Sequence, residues 1–178
     1  LVRERQERER QAEVDRLELL ETRKKMKRER KEKQAREARM MKTGQVRVPE
    51  DCSTLEKAVK RVHGDDSLTT VVLQKGEHQI EGLYLEIFSA MNIVGDPEMS
   101  KEKIVVVGGI SFEKGIQGNC HLQNMILSQA GGSAVKGLSS FTMEDVRMEQ
   151  CSGCGVLASG TGGVGRCTNV EVRQCGLS

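Results

Sequence analysis

Aromatic residues are nearly missing from this chain. Its 178 residues include no Trp, one Tyr (Tyr84) and three Phe (Phe88, Phe112 and Phe141). A site that needs aromatic stacking therefore has almost nothing to use, and the core must be built from Val, Ile, Leu, Met and small residues. No apolar run approaches the roughly 20 residues that a membrane-spanning helix needs. No secretory leader is visible, and the chain opens on Leu1 rather than Met, so it reads as a fragment of a longer protein. The six Cys (Cys52, Cys120, Cys151, Cys154, Cys167 and Cys175) are too few and too irregular for a small secreted disulfide framework. An intracellular home, cytoplasmic or nuclear, is the expectation.

The net charge of +2 hides an asymmetry. Residues 1–45 carry 16 Lys/Arg against 10 Asp/Glu, and the remainder carries 12 against 16, so a basic extension precedes a mildly acidic body. Residues 1–42 contain no Gly and no Pro and are rich in Glu, Arg, Lys, Gln and Ala, all strong helix formers. Opposite charges recur at helical spacing in Glu4–Arg8, Glu21–Lys25, Glu29–Lys33 and Glu32–Arg36. The sparse apolar residues do not sustain a heptad, so a charged helix in water is the simplest reading, with a weak coiled coil around residues 14–26 as the alternative. Arg23, Lys24, Lys25, Lys27, Arg28, Arg30, Lys31 and Lys33 put eight basic residues in eleven. They are candidate phosphate contacts or a nuclear localisation signal. Two Glu interrupt the run and no aromatic residue interleaves it for base stacking, which favours a solvated face over nucleic-acid binding.

Gly44 is a fitting end for this helix. Val46-Arg47-Val48 alternates like a short strand, and Pro49 stops it. Ser53-Thr54-Leu55-Glu56 reads as a capping box, with the Ser53 hydroxyl on an amide of the first turn and Glu56 reaching back. Leu55, Ala58, Val59 and Val62 then give one apolar helical face up to Gly64, suited to cover the end of a solenoid. The run 68–73 is β-rich, Lys75-Gly76-Glu77-His78 reads as a turn, and Leu83, Leu85 and Ile87 alternate with Tyr84, Glu86 and Phe88. Short strands are expected at 91–94, 104–107 and 110–112.

The last third repeats itself. Leu122-Gln123-Asn124-Met125-Ile126-Leu127, Met143-Glu144-Asp145-Val146-Arg147-Met148 and Cys167-Thr168-Asn169-Val170-Glu171-Val172 share one pattern at nearly even intervals. A period of roughly 20–25 residues marks a solenoid whose coils bury their apolar side on one another. Three interior ladders are expected: Leu122/Met143/Cys167, Met125/Val146/Val170 and Leu127/Met148/Val172. Arg147 and Glu171 should face out. Asn124, Asp145 and Asn169 should stack at a corner, since Asn and Asp tolerate the left-handed conformation. Gly131-Gly132, Gly153/Gly155 and Gly162-Gly163 suit further bends.

These features resemble the right-handed parallel β-helix family with the pectin-lyase-like fold. The strand 46–48, the helix 54–59, the turn Lys75-Gly76-Glu77-His78 and Asn92-Ile93-Val94-Gly95-Asp96 match its opening order of strand, capping helix, Gly-containing turn and Gly-Asp strand. His78 stands where the family usually has Tyr. The resemblance covers about residues 46–178 and implies an all-β fold: a right-handed parallel β-helix solenoid with an N-terminal capping helix, preceded by a long charged α-helix. Residues 1–43 form the extension, and 44–178 form the N-terminal part of a β-helix whose remaining coils lie beyond the fragment. Fold alone does not name an activity.

The best-known members of that family act on pectin, but the residues this requires are not evident. The clustered Asp pairs, Gly-His-Gly and Arg-x-Lys of the hydrolases are missing from the coils, and beyond Gly82 the only Asp are Asp96 and Asp145. No acidic cluster sits near Arg147, Arg166 or Arg173 for a calcium-dependent lyase. Cys151, Cys154, Cys167 and Cys175 have poor zinc spacing, and the repeat places Cys151 beneath Cys175 as a small interior stack. His63, His78 and His121 are scattered. The expectation is a non-catalytic scaffold whose partner is another protein, with no catalytic residue, no cofactor, no metal, no membrane contact and no small-molecule substrate. The alternatives are a polysaccharide-active enzyme with its site in missing coils, and nucleic-acid binding through residues 23–33.

Overall fold

The computed structural model describes residues 2–160 and 164–176, with side chains described outside residues 2–9, 12 and 41. The Gly162-Gly163 corner lies outside the described residues, and the Glu4–Arg8 pair outside the described side chains. The chain divides into two compact units, Leu1–Lys42 and Thr43–Ser178. The first consists of helix α1 (Val2–Thr43), in which every residue from 13 to 36 is exposed. A sequence this polar has no apolar stripe to bury, so α1 rests on intrinsic propensity and local charge pairing. Among the described residues no helix is long and apolar enough to cross a membrane.

The second unit is a parallel β-solenoid of about five turns. Its elements are β1 (Gln45–Val48), α2 (Leu55–His63), β2 (Thr70–Leu73), β3 (Gly76–Ile87), β4 (Asn92–Gly95), a 3-10 turn (Lys101–Lys103), β5 (Ile104–Phe112), β6 (Cys120–Ser128), β7 (Val135–Gly137), β8 (Phe141–Glu149), β9 (Val156–Ala158), β10 (Gly165–Thr168) and β11 (Glu171–Arg173). Three parallel ladders run along it. The first joins β1, β2, β4 and the first halves of β6 and β8 to β10. The second joins the starts of β3 and β5 to the second halves of β6 and β8 and then to β11. The third joins the ends of β3 and β5 to β7 and β9.

Alternation inside each strand sends one set of side chains to the interior. Val46, Val71, Ile93, Leu122 and Met143 form one interior column, each at most 1% exposed. Leu122 pairs with Met143 and Met143 with Cys167, and Leu127 pairs with Met148 and Met148 with Val172, as the repeat requires. Phe112 and Phe141 stack inside with centroids 5.4 Å apart. The Phe141 ring occupies the space a side chain would need at Gly137 or Gly165, where a Cβ would sit 2.2 Å or 2.7 Å from it. The last coil departs from the expectation, since Cys167 is exposed and Val172 is 53% exposed. No further coil stacks on β10 and β11 among the described residues, so residues patterned for an interior meet solvent.

Helix α2 packs on β1, β2 and β3 through Leu55, Ala58, Val59 and Val62 and covers the first coils. Its cap differs from the expected box. Thr54 is the N-cap, and its hydroxyl accepts from the Lys57 amide at 3.3 Å. Ser53 instead accepts from the Lys57 ammonium at 3.0 Å, and Glu56 accepts from the Glu81 amide at 2.7 Å, tying the helix to β3. The turn expected at Lys75–His78 is the start of β3, and His78 is a buried ladder residue held to the Gln74 carbonyl at 2.9 Å. The register of β3 on β5 shifts between Gln79 and Tyr84, around Gly82 at φ +92°. Leu83, on the same side of the alternation as the buried Leu85 and Ile87, lies within that shift and is 56% exposed. The two short strands expected at 104–112 are one strand that bends at Gly108 (φ +122°).

Candidate functional site

The corner between the first and second ladders is where the Asn pattern acts. Asn124, Asp145 and Asn169 are left-handed, at φ 56°, 54° and 50°. Asn169 donates to Asp145 at 2.7 Å, whereas Asn124 departs from the simple stack and donates to the carbonyls of Asp96 and Met99, both at 3.0 Å. It thereby pins the loop that leads to the 3-10 turn. Lys101 of that turn reaches past the coil of β6 to that of β8 and pairs with Asp145 at 2.7 Å. Arg147 and Glu171, expected to face water singly, pair at 3.0 Å, with Glu102 and Arg173 joining them at 3.4 and 2.8 Å. Their register places the two side chains one above the other. Hydrogen bonding to Arg147 holds the Glu171 carboxyl below the usual glutamate range, and the Arg147 guanidinium is raised in turn. Glu102 is also lowered, by its own amide first and then by Ser100 and the two cations.

This network uses its carboxylates as braces. A cleft of about 490 Å³ opens beside it over Val72 and Val94, with Arg47, Gln123 and Asp145 on its walls. Asp145 is committed to Lys101 and Asn169, so it is not a free acid facing that cleft.

A second cleft, of about 330 Å³, lies between α2 and the end of β3. Its floor is Val59, Leu85 and Met91, all buried, and Glu56, Glu81, Glu86, Lys60 and His63 stand around it. Phe88 forms a wall and is 60% exposed. Tyr84 beside it is anchored: its hydroxyl accepts from the Ser133 amide at 3.0 Å, and its ring fills the space above Gly109 and Gly132. With Phe112 and Phe141 in the core, Phe88 is the one aromatic side chain turned to solvent. The strand alternation put Phe88 opposite Leu85 and Ile87, which signalled its outward face. The sequence held no sign that α2 would wall a cleft against it.

The basic residues named as candidate phosphate contacts, 23–33, are exposed on α1. At about 100° per residue, Arg23, Lys24, Lys27, Arg28, Arg30 and Lys31 fall within an arc of roughly 160°, and Lys25 and Lys33 lie outside it. The cysteines separate as the ladders dictate. Cys151 and Cys175 are neighbours on adjacent coils, Cys167 sits on the first ladder opposite Met143, and Cys154 is exposed in a loop. No group of three or more His, Cys, Asp or Glu able to hold a metal ion occurs among the described residues. His63 and His121 hydrogen-bond Ser89 and Thr142, at 3.1 and 2.7 Å.

The sequence matches no family model, and no curated protein or solved structure matches it.

Proposed function

We propose that this chain is a non-catalytic right-handed parallel β-helix of the pectin-lyase-like type, an intracellular scaffold that docks another protein on the flank between α2 and β3. The opening order of strand, capping helix and stacked coils supports the family reading, and six free thiols support the intracellular one. The observation that carries the function is Phe88. An aromatic ring 60% exposed beside an apolar floor is costly to leave in water, and buried aromatic anchors dominate protein interfaces. Three carboxylates against one lysine and a histidine around the cleft favour a partner segment that offers an apolar anchor flanked by Lys or Arg.

The test is affinity capture with the intact chain and with Phe88→Glu, compared by mass spectrometry after circular dichroism confirms that both are folded. A defined protein set retained by the parent and lost by the variant supports the reading, and an unchanged set overturns it. The exposed basic run of α1 supports the second reading, nucleic-acid binding. Recovery of RNA or DNA with a steep salt dependence, lost on deleting residues 1–42, would replace the first with the second. Specific retention on polygalacturonate would instead favour a polysaccharide-active protein.

A further inference from the structure

The coil of β10 and β11 carries a thiol that stacks on one of the coil before it, an arrangement no other described cysteine shares. β11 pairs with β8 in a register that sets Glu149 opposite Arg173, and the Gln150 amide donates to the Arg173 carbonyl at 3.2 Å. Carried on past Gln150 and Gln174, the same register sets Cys151 opposite Cys175. The two cysteines follow identical corners, since Gln150 and Gln174 are both left-handed at φ 56° and 50°. They also hold the same orientation. Each sulfur donates to the carbonyl two residues back, Cys151 to Glu149 at 3.4 Å and Cys175 to Arg173 at 3.3 Å. The thiols are therefore stacked, one coil above the other.

Neighbouring strands lie about 4.8 Å apart. That separation is within the roughly 4.4–6.8 Å between Cα atoms that a disulfide accepts. From that spacing the β-carbons must close by about 1 Å, because a disulfide brings them to about 3.8 Å. Access is graded as well: Cys175 is half-buried and Cys151 is 3% exposed. Cys52, Cys120, Cys154 and Cys167 have no cysteine opposite them in the ladders.

We infer that Cys151 and Cys175 form a thiol–disulfide exchange site that takes a low-molecular-weight disulfide of the glutathione type and closes an inter-coil disulfide. In the first step the Cys175 thiolate attacks one sulfur of glutathione disulfide. A protein–glutathione bond forms, the glutathione S–S bond breaks, and one glutathione thiolate leaves. In the second step the Cys151 thiolate attacks the Cys175 sulfur and expels the second glutathione thiolate. The two thiol protons end on the two released glutathiones. The protein is oxidised by two electrons, and glutathione disulfide is reduced to two thiols. Burial pushes the Cys151 thiol up to about 11, so the second step is the slower one and quickens with pH. The closure is reversible, because the same exchange run backwards by excess glutathione thiol restores both cysteines.

The intact chain is incubated in glutathione buffers of graded poise, quenched with acid and digested with trypsin without reduction. Cleavage after Arg147, Arg166 and Arg173 separates peptide 148–166, with Cys151 and Cys154, from 167–173, with Cys167, and 174–178, with Cys175. The expected product links 148–166 to 174–178, with fragment ions placing the bond on Cys151. It should exceed any other pairing by roughly tenfold, because the two thiols share a high effective concentration. Cys154→Ser should leave the link intact, and Cys151→Ser should stop the reaction at glutathionylated Cys175. If Cys151→Ser does not fold, the fragment-ion assignment in the parent chain decides the question. A bond placed on Cys154, a spread of pairings, or Cys151 still reduced at the most oxidising poise would overturn the inference.

Discussion

Two residues with the same backbone angle serve different ends. Asn124 and Gln129 both sit in the left-handed region, at φ 56° and 54°. The side chain of Asn124 also donates to two loop carbonyls, which would otherwise lose their partner. Asn124→Gly should cost about 2 kcal/mol in chemical denaturation through those lost hydrogen bonds. Gln129→Gly relieves the steric cost of a Cβ at positive φ but adds freedom to the unfolded chain, so it should stay within about 0.5 kcal/mol. Equal losses would mean that the corner depends on backbone shape alone. The Asn pattern was readable because Asn and Asp announce this conformation. The parallel column Gln129, Gln150 and Gln174 was not, because Gln carries no such preference and is held there by its stacked neighbours.

Among the elements, α2 was legible in its apolar face and its Gly64 end, but not in its cap. Ser53 and Thr54 are both acceptable N-caps, and the choice depended on where β1 and its turn deliver the chain. Thr54→Ala should lower stability by about 1 kcal/mol, whereas Ser53→Ala should change it by less than about 0.5 kcal/mol. A thermal melt in which Ser53→Ala is the costlier change would restore the box that the sequence suggested. β3 teaches the same lesson differently. Its polar start reads as a turn, yet Gly76 to Gln79 pair with Ile104 to Val107, so neighbouring backbone supplied what local propensity lacked.

At the scale of the described solenoid, stability should fall from its middle coils toward β10 and β11. β6 and β8 have a coil on each side, whereas β10 and β11 have one on a single side. Hydrogen exchange should therefore find the amides of β6 the most protected and those of β11 among the first to exchange. Uniform protection would show that the coils open together. The ionic braces across coils add a pH dependence. The folded Glu171 carboxyl lies below its ordinary 4.5, so its contribution is present above that value and is lost as pH falls through the lower folded one. The parent should lose melting temperature below about pH 4.5, and Glu171→Gln should show a shallower loss over the same range. An identical decline in both would place the acid sensitivity elsewhere.

What the sequence determined by itself was the repeat and everything that follows from its period: stacked parallel coils, interior columns such as Leu122 with Met143, the left-handed Asn corner and an amphipathic covering helix. These are local or periodic properties, set by the alternation of side chains along a strand and by the nearly even offset from one coil to the next. The tertiary structure decided the rest. That Phe88 borders a cleft and that Lys101 and Glu102 reach Asp145 and Arg147 are consequences of how loops and helix lie against the coils. Such neighbours are brought together from distant parts of the chain by the stacking itself, and a single chain read in order carries no local signal of them.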